Sequence, residues 1–197
     1  MKWRFVWLFP VLMLSFSCAT TKLGEVWELE GYEGPPFERL MIVGLAQTPE
    51  LRSDYENRFV DRLANERLLA LASINMVPNV ADIDRETVDA WVAEYALDAV
   101  FVTRVVNASR DVIYRPPTQY LYGRYGAWGA SSYSGSVSET VKVSLETSVY
   151  DVKTGQLVYS VLSKTYNPKG GRAMFKAVID LVVADLFERG YLKTKRR

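Results

Sequence analysis

The run Leu40-Met41-Ile42-Val43-Gly44-Leu45 is apolar at both parities, which predicts a strand buried on both faces. Behind it, Tyr55, Phe59, Val60 and Leu63 recur at helical spacing, with Arg58, Asp61, Arg62 and Glu66 mostly on the other side. Ser53-x-x-Glu56 has the form of a capping box opening that helix. Leu68 to Ile74 is a second apolar run, ended by Pro78. Asp84 is placed to cap a second helix running to about Ala96. Its Val88, Trp91, Val92 and Tyr95 follow i, i+3, i+4, i+7. Asp98 to Val106, again apolar at both parities, predicts a central strand.

Further on, Val141, Val143, Leu145, Thr147 and Val149 alternate as a half-buried strand. The turn Asp151-Val152-Lys153-Thr154-Gly155 leads to Leu157, Tyr159 and Val161, completing a hairpin. Met174, Phe175, Val178, Ile179, Val182, Val183 and Leu186 form a wide apolar stripe on a long helix that Gly190 stops. The predicted order is β-α-β-α-β-β-β-α. This is an α/β (α+β) domain over residues 40–192, with a mixed three- to five-stranded sheet and helices packed on it. Residues 193–197 form a basic tail.

The amino terminus follows a different pattern. Lys2 and Arg4 precede an apolar run from Phe5 to Leu14, followed by Ser15, Phe16 and Ser17. The run is shorter than the ~20 residues a spanning helix needs, and it predicts a secretory signal over residues 1–17 rather than an uncleaved anchor. The sole cysteine, Cys18, falls at the cleavage position. Leu14-Ser15-Phe16-Ser17-Cys18 resembles a bacterial lipoprotein signal: Ser17 fits the pattern, while Ser15 and Phe16 depart from it. The resemblance implies that Cys18 becomes the acylated first residue. The alternative is a cysteine that falls by chance beside an ordinary cleavage site. Ala19, in place of an aspartate, implies the outer membrane. Residues 18–39, with Gly24, Gly31, Gly34, Pro35 and Pro36, read as a flexible tether spanning about 25 Å. Trp27 and Tyr32 are either ordinary linker aromatics or lie against the domain or the headgroups.

Composition narrows the chemistry. The 197 residues include no histidine and one cysteine, which excludes Ser-His-Asp and Cys-His catalysis, imidazole metal sites and an internal disulfide. The net charge is +1, and cleavage after residue 17 leaves 22 basic against 23 acidic residues. No basic field marks nucleic acid as a partner. No cofactor or metal is implied. Pro168-Lys169-Gly170-Gly171-Arg172 precedes a helix but lacks P-loop spacing. The acid pairs Asp54/Glu56 and Asp82/Asp84 have ready readings as caps and first-turn acids. A two-carboxylate hydrolase stays formally open.

The segment 107–138 stands apart as an irregular insertion. Tyr114, Tyr120, Tyr122, Tyr125, Trp128 and Tyr133 place six aromatics in twenty residues, about twice the chain's 13%. Gly123, Gly126, Gly129 and Gly135 accompany them with a run of serines. Tyrosine and tryptophan pair an apolar body with a polar tip, so they suit interfaces. Three readings stand: a loop for partner binding or self-association, a solvated insertion of minor function, and a hairpin meeting membrane or glycan.

Three runs carry a family resemblance: Arg39-Leu40-Met41-Ile42-Val43-Gly44, Leu97-Asp98-Ala99-Val100-Phe101-Val102-Thr103 and Tyr150-Asp151-Val152-Lys153-Thr154-Gly155. They resemble the periplasmic domains of small bacterial lipoproteins. That group includes the curli secretion lipoprotein, the penicillin-binding-protein activator lipoproteins and the amino-terminal domain of TolB. The resemblance implies a non-enzymatic envelope accessory or assembly subunit, held to the membrane by its lipid. Its alternatives are a regulator that activates a cell-wall synthase and a carboxylate-dependent peptidoglycan hydrolase.

Overall fold

The computed structural model describes residues 20–46, 48–64, 66, 68–115 and 136–193. Six strands form one mixed sheet: β1 (Thr20–Glu28), β2 (Arg39–Leu45), β3 (Leu69–Ala72), β4 (Ala99–Arg115), β5 (Ser136–Asp151) and β6 (Leu157–Tyr166). Their spatial order is β1-β6-β5-β4-β2-β3. Three helices accompany them: α1 (Pro49–Ala64), α2 (Arg85–Tyr95) and α3 (Gly171–Glu188). Strands β3, β2 and β4 pair in parallel, and β4, β5, β6 and β1 antiparallel. The α/β class and the mixed sheet stand as the sequence predicts. The sheet has one strand more than the upper expectation.

That extra strand corrects the tether. Thr20–Glu28 pairs antiparallel with β6, from Thr20 opposite Tyr166 to Glu28 opposite Tyr159. Leu23 and Val26 pack against the core between the polar positions of an edge strand, and a bulge between them breaks the alternation. Tyr32 is also part of the fold. Its ring stacks on Tyr191 at 6.0 Å, and its hydroxyl donates to Asp151 Oδ2 at 3.0 Å. Phe37 is buried and bridges to Leu192. In the basic tail, Lys193 pairs with Glu38 at 2.6 Å.

The start of α1 is a second correction. The helix opens at Pro49, a residue pre-set for the first helical position, and Thr48 Oγ1 accepts from Leu51 N. Ser53 and Glu56 therefore lie inside the helix. Ser53 accepts the side-chain amide of Asn57, and Glu56 is buried, so neither forms a capping box. The second helix starts as the pattern predicts, with Asp84 Oδ1 accepting from Thr87 N at 2.8 Å.

Two apolar clusters sit on opposite faces. One joins α1 and α3 to Leu40, Ile42, Phe101, Leu145 and Val161, with Phe59 edge-on to Phe101 at 5.8 Å. The other places Trp91 of α2 against Met41, Val43 and Val100. Among the described residues, no helix is long and apolar enough to cross a membrane.

Candidate functional site

Strands β4 and β5 outrun the rest of the sheet. β2 stops at Leu45, opposite Arg104, and β6 stops at Tyr166, opposite Lys142. Asn167, in the left-handed region at φ 48, makes the last bonds on that side. Its N–H donates to Val141 O at 2.7 Å, and its side-chain oxygen accepts from Val141 N at 2.9 Å. Among the described residues, the two strands pair only with each other from Asp111–Thr140 to Arg115–Ser136, over about 17 Å. The two flanks of the expected irregular insertion, residues 107–115 and 136–138, are thus ordered ribbon, which corrects its boundaries there. The alternation simply changes phase there, because an extra residue sits between Val105 and Asn107. This bulge restores the parity, so that Thr103, Val105 and then Ala108 face the α1–α3 side.

An apolar pocket of about 220 Å³ lies at the ribbon's root, between β2, α1 and the start of α3. Leu51, Val105, Val143, Met174 and Phe175 line it. Leu45, Leu51 and Val105 remain 41–47% exposed at its rim. Three hydroxyls extend inward from it: Tyr55 Oη to Thr103 Oγ1 at 2.8 Å, and Thr103 to Thr147 at 3.0 Å. Burial pushes the Tyr55 hydroxyl up to about 12, so it stays a neutral hydrogen-bonding group.

The crevice between the ends of β2 and β3 is where open parallel sheets take ligands, since α1 and α2 leave to opposite faces there. Here the chain fills it with its own ion pair. Glu56 Oε1 accepts from Gly44 N (2.7 Å), Arg52 Nε (2.8 Å) and Ser73 Oγ (2.9 Å), and Oε2 accepts from Ile74 N (2.7 Å). Arg52 spends its remaining nitrogens on Pro78 O and Ser73 Oγ. Both side chains are at most 2% exposed. Among the described residues no buried side-chain polar atom lacks a partner. Such saturation describes a fastening, with no group left over to act on a substrate.

The opposite end of the sheet is polar and equally closed. Asp185 Oδ2 accepts Tyr159 Oη and Arg189 Nε, both at 2.7 Å, and Arg189 also pairs with Glu28. Burial first, and then the bond to Asp185, raise the Tyr159 hydroxyl well above the usual phenol range. Asp98 Oδ1 and Oδ2 receive Arg39 N and Glu38 N, and burial raises its carboxyl above the ordinary value.

Of the residues predicted from sequence, Tyr114 lies in β4, in register with Val137. Tyr120, Tyr122, Tyr125, Trp128 and Tyr133 lie outside the described residues, as does Cys18. Trp27 is 47% exposed on β1. The acid pairs separate: Asp54 pairs with Arg58, Glu56 is buried, and Asp84 caps α2. Sequence reasoning missed Arg52 and Glu56 as a pair. Their signal was a charged i, i+4 couple in which Glu56 directly follows Tyr55 on the core stripe.

No protein-family model matches the chain, and no curated protein matches it. Among solved structures it is similar to the PelC dodecamer from Paraburkholderia phytofirmans, at 13% identity and a TM-score of 0.46. That match covers 86% of this chain and 97% of the other. It is also similar to lipoprotein GNA1162 from Neisseria meningitidis, at 13% identity and a TM-score of 0.42, covering 76% and 98%. At these values the likeness assigns no function.

Proposed function

We propose that this chain is an outer-membrane-anchored periplasmic lipoprotein that works through protein contacts, as an accessory or assembly subunit of the envelope. The β4–β5 ribbon carries this reading. A two-stranded ribbon is only marginally stable by itself, and free strand edges invite pairing, so this length of unpartnered ribbon is costly unless it meets something. The sequence joining its two strands holds Tyr120, Tyr122, Tyr125 and Trp128. Aromatics of this kind serve as anchors in interfaces with another envelope protein or with a second copy. The saturated Arg52–Glu56 crevice supports a role without catalysis. The signal pattern before Cys18 supports the lipid anchor, and the three runs resembling periplasmic lipoprotein domains agree with both.

Crosslinking pull-downs from the native envelope test the contact surface. Wild type is expected to capture a specific partner, and the Ala variant of Tyr120, Tyr122, Tyr125 and Trp128 to lose it. Retention of every partner overturns the assignment of that surface. Capture of a cell-wall synthase would make the subunit a regulator. Detergent partitioning tests the anchor: Cys18→Ser is expected to leave the membrane phase, and full retention there defeats it.

A further inference from the structure

The register of the sheet places the start of β1 beside the root of the ribbon. Thr20 pairs with Tyr166, Tyr166 with Lys142, and Lys142 with Ser109. Strand β1 thus begins at the end of the sheet from which β4 and β5 run on. Cys18 precedes Thr20 by two residues in the sequence. The pairs from Arg110–Val141 to Arg115–Ser136 carry the ribbon about 20 Å beyond the same row.

This end also bears a set of like charges. Lys22 pairs directly with Lys164 across β1 and β6. Lys164 pairs with Ser144, and Lys142 stands two residues from Ser144 on the same face of β5. All three alternate with Leu23, Val143 and Leu145, which pack toward α1 and α3, so the lysines occupy the opposite face. Two of the side chains lie along the sheet. Lys22 Nζ sits 5.6 Å from the Tyr166 ring centre, and Lys164 runs over Gly24, where an added Cβ would meet its Nζ at 3.6 Å. Among the described residues none of the three makes an ion pair, and Glu146 on this face is taken by Arg104 at 2.6 Å. Like charges set opposite each other across strands repel, and among the described residues the Tyr166 ring under Lys22 offsets that cost only in part, with no carboxylate paired to any of the three. Lys169, exposed in the loop after β6, adds to the same end.

We infer that this end of the sheet is a lipid-facing surface: Lys22, Lys142 and Lys164 rest on anionic phosphate headgroups, and the β4–β5 ribbon points into that bilayer, so the partner it contacts is one held in the membrane. The inference rests on the reading of Cys18 as acylated, because only then is a bilayer held within reach of Thr20. A lysine close to an anionic membrane surface is worth roughly fivefold in partitioning. Three together are worth about a hundredfold, weakening as salt screens them.

Acylated protein reconstituted into phosphatidylethanolamine–phosphatidylglycerol vesicles tests this. Acylation occupies the sulfur of Cys18, so Asp111→Cys on the ribbon, or Lys153→Cys at the opposite end, provides the only thiol for an environment-sensitive fluorophore. The label at 111 is expected to shift to the blue and be quenched by brominated lipid, and the label at 153 to stay aqueous. The Gln variant of all three lysines is expected to lose most of the quenching at 111. Aqueous emission at 111, or quenching indifferent to the lysines, overturns the inference. Mass spectrometry of the same preparation reads acylation separately. An acylated protein with an aqueous label at 111 keeps the anchor and loses the surface. An unacylated Cys18 defeats the anchor, and the surface is then decided by vesicle sedimentation. A loss of about a hundredfold in the lysine variant supports it, and no loss overturns it.

Discussion

The Glu56 carboxylate receives four hydrogen bonds from three separate parts of the chain: the end of β2, the first half of α1 and the turn after β3. Replacing it with alanine leaves the Arg52 guanidinium buried without its counter-charge, which costs about 3–5 kcal/mol. Urea denaturation of Glu56→Ala should show a loss of this size, and a loss below about 1 kcal/mol would mean that water already reaches the pair. Buried tyrosines make a second prediction. Burial raises the Tyr55 and Tyr191 hydroxyls to about 12 and those of Tyr32 and Tyr159 further. A folded-state value above the unfolded ~10 means that the unfolded chain releases its proton first. Their stabilisation is therefore complete below about pH 10 and is lost as pH rises through the folded values. For Tyr55 alone the loss is about 2–3 kcal/mol. The urea midpoint should fall steeply between about pH 9 and pH 12, and Tyr55→Phe should flatten part of that fall. Native phenols titrating together near pH 10 would contradict this. Tyr55 was legible as a core position at helical spacing and Tyr159 as a strand position. The hydrogen-bond partners were not, since Thr103 comes from β4 and Ser73 from the turn after β3, and only the folded sheet brings them beside α1.

At the scale of elements, strong periodicity was a reliable guide and weak periodicity was not. Helix α2 falls within a residue of its predicted limits and α3 within about two, because a capping aspartate, a wide apolar stripe and Gly190 mark them locally. Strand β1 escaped notice because an edge strand buries only one side, and its bulge displaces Val26 from the rhythm set by Thr21 and Leu23. The bulge after Val105 hid the continuation of β4 in the same way. One helix end offers a direct test. Ala96 closes α2 in the left-handed conformation, at φ 49 and ψ 49. A Cβ there costs about 1–2 kcal/mol, whereas glycine gives back part of that gain through the freedom of the unfolded chain. Ala96→Gly is exposed and touches no core cluster, so thermal or urea unfolding should show a gain of about 0.5 kcal/mol. A loss would mean that the cap is held by something other than backbone conformation.

For the molecule as a whole, the ribbon and the folded body are separable. The apolar clusters draw on β4 up to Phe101 and Val102 and on β5 from Val143 onward, so among the described residues the strands beyond Ala108–Val143 add none to either. The body between α1, α2 and α3 holds itself together by burial, and the ribbon borrows its order from that body through the register with β2 and β6. Replacing Ser109–Lys142 with a short Asn-Gly turn should therefore close β4 onto β5 at Ala108–Val143. The unfolding free energy is expected to stay within about 1 kcal/mol of wild type, because no core contact is removed. The same protein, still carrying Cys18, is expected to remain in the membrane fraction yet capture no partner. A shortened chain that fails to fold would show that the ribbon is structural. One that folds and still captures its partner would move the contact surface elsewhere, to the exposed sheet face around Trp27. On the proposed reading, folding, anchoring and contact fall to three stretches of one chain, and this single deletion reads each independently.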